Sequence, residues 1–170
     1  KRREQPNVRG EFNRVYNCLI HDLGEIVVMA CHNGGVMLWN ANDCRVSHCD
    51  IARNIRYGIS LRGHYSSQRA RDDGLNPDMG NHLSRNNVFQ YIRIADVGTD
   101  SGDMGAIHAA HLNEPDGSCI NTWRQIVVRG VRAHPSMKDW PPDGIFVDHP
   151  YSCQKQVFRD IDIADAQGRP

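Results

Sequence analysis

Asn86-Asn87-Val88-Phe89-Gln90-Tyr91-Ile92-Arg93-Ile94-Ala95-Asp96-Val97-Gly98 decides the fold, because the chain says it again. Lys155 to Gly168 reads K-Q-V-F-R-D-I-D-I-A-D-A-Q-G, and weaker copies begin at Asn13, Asn42 and Asn121. Between the copies stand short glycine-led apolar runs: Gly35-Val36-Met37-Leu38, Gly58-Ile59-Ser60-Leu61, Gly105-Ala106-Ile107 and Gly144-Ile145-Phe146-Val147. Ile92-Arg93-Ile94 and Ile161-Asp162-Ile163 alternate apolar with polar, the period of a half-buried strand. Asn, Asp and Gly fall between the strands, where turns and left-handed backbone are needed. No stretch carries a sustained helical spacing.

Strands this short bury no face alone; stacked on successive coils they form one apolar column. The expectation is an all-β chain, a right-handed parallel β-helix (a solenoid) with long loops on one side. Gly35 to Gly58 is a step of 23 residues, the length of a minimal three-strand coil. The steps Gly58 to Gly105 and Gly105 to Gly144 are 47 and 39, the excess lying in polar stretches near 63–85, 97–104 and 133–142. Long loops on a rigid scaffold are where binding sites gather.

Lys plus Arg and Asp plus Glu balance at 20 each, which gives no basic footprint for nucleic acid and no polybasic run for a membrane. No apolar run is long enough to span a bilayer, and no signal peptide is evident. Residues 1–170 read as the central segment of a single β-helix domain, part of a longer chain that supplies the caps and any targeting signal. The six cysteines form no C-x-x-C pair, so a structural zinc site is not expected. Cys18 and Cys49 precede Ile20 and Ile51 at equal offsets and are expected to stack as buried thiols, though a disulfide stays open. Trp123, on a repeat strand, is expected in the core.

Three phrases carry a resemblance: Val46-Ser47-His48-Cys49-Asp50-Ile51 leading to Tyr57-Gly58-Ile59; Asp103-Met104-Gly105-Ala106-Ile107-His108; and Gly144-Ile145-Phe146-Val147-Asp148-His149 before Val157-Phe158-Arg159-Asp160-Ile161. In these the chain resembles the right-handed β-helix proteins of bacterial polysaccharide degradation, nearest the β-helical glycoside hydrolases that act on plant cell-wall fucosides and xylans. The likeness covers about Asn13 to Gly168. His108 stands where that group has Tyr, His149 where it has a second acid, and Asp160 where it has Asn. The resemblance implies a secreted, periplasmic or cell-surface enzyme that cleaves glycosidic bonds in a polysaccharide or oligosaccharide.

Such cleavage needs two carboxyl groups, one to protonate the leaving oxygen and one to attack or to activate water. The resemblance gives Asp103 and Asp148 as the pair, with Asp143 in reserve. If Gly105 and Gly144 stack, Asp103 and Asp148 stand six positions apart along the strand direction, roughly 20 Å at the usual rise, which favours Asp103 with Asp143. Each is also an ordinary turn former beside glycine. His108, His111 and His149 are candidates to bind sugar hydroxyls or to tune a carboxylate. Trp140, set between charges and prolines, and Trp39 are candidate sugar platforms. Arg62 and His64, ending the Gly58 strand, are placed to reach substrate. No metal ligand set is expected, since His108, His111 and Asp148 match no known zinc spacing. Asp72 to Asp78 packs oxygen ligands as a Ca²⁺ loop would, without the EF-hand pattern, and also reads as an exposed turn-rich loop. The readings to weigh are a hydrolase with an Asp pair, a polysaccharide lyase, and a non-catalytic carbohydrate-binding, tailspike or adhesin β-helix. Products separate the first two; the third releases none.

Overall fold

A computed structural model describes residues 10–23, 34–63, 84–99, 104–110, 120–133, 141–148 and 156–168. Among these the chain is all-β: β1 (Gly10–Glu11), β2 (Arg14–Tyr16), β3 (Leu19–His21), β4 (Gly34–Trp39), β5 (Ala41–Asn42), β6 (Arg45–Ala52), β7 (Tyr57–Arg62), β8 (Val88–Val97), β9 (Gly105–Ala110), β10 (Thr122–Val131), β11 (Asp143–Asp148) and β12 (Val157–Ala166). Every strand pairing is parallel. A six-stranded sheet runs β12-β10-β8-β6-β2, with β3 also pairing β6. A four-stranded sheet runs β11-β9-β7-β4, and β1 pairs β5 in a small third sheet. From β6 to β12 the chain alternates between the two large sheets, laying each new strand beside its predecessor in that sheet. No helix among the described residues is long and apolar enough to cross a membrane.

The repeats align because their apolar residues align. On the six-stranded sheet Val15, Val46, Phe89, Trp123 and Phe158 form one column. Ile20, Ile51, Ile94, Val128 and Ile163 form another. From the four-stranded sheet Val36, Ile59, Ile107 and Ile145 complete the core. Trp123 is fully buried, its ring stacked 3.9 Å from Phe89 and 5.9 Å from Phe158 between centroids. Burying each such side chain contributes about 1.5–3 kcal/mol, and the columns share it between neighbouring rungs. Cys18 and Cys49 stack on neighbouring strands and neither is in a disulfide, but only Cys49 is buried; Cys18, near the edge of the sheet, is half-buried.

The strands bend at stacked left-handed residues. Asn17, His48, Tyr91, Gln125 and Asp160 occupy one corner column, with φ of 53°, 55°, 54°, 53° and 52°. Asp22, Arg53, Asp96, Gly130 and Asp165 occupy a second, with φ of 58°, 52°, 53°, 66° and 60°. Phe12, Asp43 and Asn86 begin a third. Asn, Asp and Gly tolerate this conformation; Tyr91 and Gln125 adopt it because the neighbouring rungs fix the path.

An internal polar ladder precedes the first of these bends. The Asn87 carboxamide accepts from the Cys44 backbone N–H at 2.9 Å and donates to the Ala41 carbonyl at 2.7 Å. The Asn121 carboxamide accepts from the Asn87 backbone N–H at 3.0 Å and from the Asn87 carboxamide at 2.9 Å, and donates to the Ser84 carbonyl at 2.9 Å. Asn87 and Asn121 are almost fully buried, and these bonds satisfy groups that would otherwise be costly inside.

One sequence expectation needs correction. Gly105 and Gly144 do not stack. Ile59, Ile107 and Ile145 align, so Gly105 pairs with Asp143, and Gly144 falls beside Ala106. The cause is the extra Ala106 between Gly105 and its isoleucine: buried isoleucines, not glycines, set the register. The stretches near 63–85, 97–104 and 133–142 that read as loops lie largely outside the described residues, as does Asp72 to Asp78.

Candidate functional site

The strands β4, β7, β9 and β11 alternate core-facing residues with residues that face away from the core. Two adjacent outward columns result. One is Met37, Ser60, His108 and Phe146; the other is Trp39, Arg62, Ala110 and Asp148. The register thus brings four sequence candidates, Trp39, Arg62, His108 and Asp148, onto one sheet face. They come from four different strands.

His108 is the hub. It is buried, with 1% exposure, and its ring stacks on Tyr57 at 4.3 Å between centroids and more loosely on Phe146 at 5.8 Å. Its Nδ1 shares a 2.8 Å hydrogen bond with the Ser60 hydroxyl. Its Nε2 lies 3.9 Å from an Asp148 carboxylate oxygen, beyond hydrogen-bond length but well inside electrostatic range. Burial pushes the His108 imidazole below its ordinary proton affinity; the Asp148 carboxylate opposes that, and the Arg62 and Arg56 guanidiniums reinforce it. The neutral ring is therefore favoured. A proton on Nε2 then faces the carboxylate, and Nδ1 accepts from Ser60.

Asp148 is only partly covered, its side chain 29% exposed. The face thus offers an accessible carboxylate beside a buried neutral imidazole. Arg62 is nearly buried and its guanidinium lies over the Trp39 ring at 5.6 Å from the centroid, while Trp39 itself is exposed. An exposed indole braced by a cation is a flat, partly apolar platform, three strands from Asp148 on the same face, about 14 Å at the usual strand spacing.

Asp143 is elsewhere. It begins β11 while Asp148 ends it, five positions on, which is about 17 Å along a strand. Its backbone N–H donates to the Met104 carbonyl at 2.9 Å, and it packs where a side chain on Gly168 would fall. Asp143 and Asp148 therefore do not face each other across one glycosidic bond, which needs about 5–9.5 Å. Asp103, His64, His111, Trp140 and His149 lie outside the described residues. Sequence reading missed Ser60 and Tyr57 as partners of His108, since the contacts depend on pairing strands dozens of residues apart. Among the described residues no group of three His, Cys, Asp or Glu side chains is arranged to hold a metal ion.

No family model matches the chain, and neither a curated protein nor a solved structure matches it.

Proposed function

We propose that the chain is a stretch of a right-handed parallel β-helix that hydrolyses glycosidic bonds in a plant or microbial polysaccharide. Three features support the winding: all pairings are parallel, the chain alternates between sheets, and the bends stack. Crossovers between parallel strands are almost always right-handed.

The observation that carries the hydrolase reading is the meeting of Asp148, His108, Arg62 and Trp39 on one face. In this reading Asp148 is the carboxylate that attacks or activates water. His108 Nε2 lies 3.9 Å from its carboxylate, and Arg62 stands two strands away on the same face. Asp103, which the resemblance pairs with it, is the proposed acid; this requires the segment before Met104 to fold back along β9, because the register sets Gly105 beside Asp143 and Ala110 beside Asp148. Trp39 receives a sugar face and Arg62 a hydroxyl or ring oxygen. No cofactor enters the mechanism. A polysaccharide substrate places this work outside the cytoplasm, as a secreted, periplasmic or surface-held protein.

Reducing-sugar release from pectic and hemicellulosic polysaccharides tests the reading, with Asp103→Asn, Asp143→Asn and Asp148→Asn in parallel. The expected result is release that collapses in the Asp103 and Asp148 variants and survives in Asp143→Asn. Full release by Asp148→Asn would remove the site. No release by a folded protein would remove hydrolysis, and an unsaturated, ultraviolet-absorbing product would replace it with a lyase.

A further inference from the structure

The outer face of the six-stranded sheet carries a second feature, away from the four residues above. Arg14 and Arg45 are exposed and directly paired across β2 and β6. Like charges placed opposite each other on adjacent strands oppose folding. Most other arginines along this face are matched: Arg53 to Asp22, Arg93 to Asp50, Arg129 to Asp162, and Arg124 to the Gln90 side chain at 2.9 Å; the exposed Arg159, paired with Arg124 across β10 and β12, is the exception. Among the described residues neither Arg14 nor Arg45 has a carboxylate within ion-pair distance. The pair is confined to these two rungs, since the next residue in the column is Val88.

Beside the pair stands a row of rings that the core does not use. Tyr16 and His48 lie 5.1 Å apart between centroids, and His48 and Tyr91 4.8 Å apart. Tyr16 is 64% exposed and Tyr91 46%. Tyr91 holds its ring out from a left-handed corner, a conformation a bulky residue seldom adopts. Among the described residues Arg14, Tyr16, Arg45, Ser47, His48 and Gln90 line a half-open groove of about 440 Å³, within the size range of small-ligand sites, and none of them is a carboxylate.

We propose that this groove is a second glycan site that takes a carboxylated sugar, a uronate, with its carboxylate on the Arg14–Arg45 pair and its ring against Tyr16 and His48. Two guanidiniums carried by directly paired residues present forked donors that match a planar carboxylate. The rings supply apolar area for the carbon face of the sugar. The balanced charge of the chain, and the uncharged Val88 and Gln90 that separate the Arg14–Arg45 pair from Arg124 and Arg159, argue for a single anionic group, not the extended phosphate track a nucleic acid needs. The site does not depend on the hydrolase reading, and binding alone tests it.

The test is calorimetric titration of the full chain carrying Asp148→Asn, so that nothing is turned over, with oligogalacturonate and with its fully methyl-esterified form. The free acid is expected to bind at least tenfold tighter than the ester, and Arg14→Gln or Arg45→Gln to weaken it at least tenfold. Added salt is expected to weaken binding of the acid. Equal binding of acid and ester would overturn the proposal, as would unchanged binding in both arginine variants. A single-stranded oligonucleotide of equal charge binding as tightly would overturn the sugar assignment. Both arginines are exposed and removing one relieves the like-charge opposition, so neither variant is expected to melt below the parent; should either fail to fold, the acid-to-ester ratio on the intact pair still decides.

Discussion

Replacing Asn121 with Ala tests whether the buried ladder, and not only the apolar columns, holds the rungs in register. The substitution removes three hydrogen bonds of 2.9–3.0 Å, two accepted from Asn87 and one donated to the Ser84 carbonyl. The Asn87 carboxamide keeps its bond to Ala41. The Asn87 backbone N–H loses its acceptor where almost no water reaches. An orphaned buried donor costs about 1–3 kcal/mol, and each other lost bond about 1 kcal/mol. The expected loss is therefore about 3–5 kcal/mol, a large part of the roughly 5–15 kcal/mol that holds a domain. At about 2–4 °C per kcal/mol for this chain length, the melting midpoint should fall on the order of 10 °C. Urea and thermal unfolding followed by far-ultraviolet circular dichroism measure both quantities. Gln125→Asn is the control, an exposed corner residue on the same strand replaced by one suited to its φ of 53°, expected within about 0.5 kcal/mol of the parent. A loss below about 1 kcal/mol for Asn121→Ala, with an unchanged denaturant slope, would refute the ladder's role.

Gly58 is required by close approach: a Cβ there would lie 2.4 Å from the Ile94 Cγ2 and 2.9 Å from the Ala106 carbonyl oxygen, so Gly58→Ala is expected to cost about 1–3 kcal/mol in urea melts, and a neutral result would contradict that packing. His108 predicts a pH dependence. Its folded proton affinity lies below the ordinary pKa of 6.5, so the unfolded chain binds more protons beneath that pH, and this contribution to stability is complete above about pH 6.5 and lost progressively as pH falls below it. Comparing the stability-versus-pH slope of the parent with that of His108→Gln between pH 7 and 5 isolates the effect; identical slopes would mean that His108 is not held neutral.

Much of the fold was legible because each rung repeats the same spacing of buried residues. Val88, Ile92 and Ile94 announced the strand, and Trp123 was placed in the core by its position in a copy. The glycine-led runs misled by one residue at Gly105, because glycine marks a close approach while isoleucine sets the register. The corner columns were half visible: Asn17, Asp22, Asp96, Asp160 and Asp165 are the types that left-handed backbone favours, but Tyr91, Gln125 and Arg53 adopt it only through their neighbours. On the site face, Trp39, Arg62 and His108 are candidates from local chemistry and Asp148 from the resemblance, and the register sets all four on one sheet face. Ser60 was not, since a serine on a strand acquires meaning only from the histidine opposite. Arg14 and Arg45 carried a signal, the same residue at the same place in two copies, which shows only when the copies are aligned.

The corners also act as a ruler. Five positions separate the first corner residue from the second in every rung, from Asn17 to Asp22 through to Asp160 to Asp165. The spacing from the ladder residue to the first corner is equally fixed, four positions from Asn87 to Tyr91 and from Asn121 to Gln125. The stretch from ladder to second corner is thus closed to insertion, since one added residue would turn every following side chain inside out. Elsewhere the count runs free: aligned isoleucines on the four-stranded sheet are 48 residues apart from Ile59 to Ile107 and 38 from Ile107 to Ile145. Lineages of this protein can lengthen or exchange the segments that enter and leave that sheet without disturbing a single rung, so new specificity can be acquired at the edge of the candidate site while the frame stays constant.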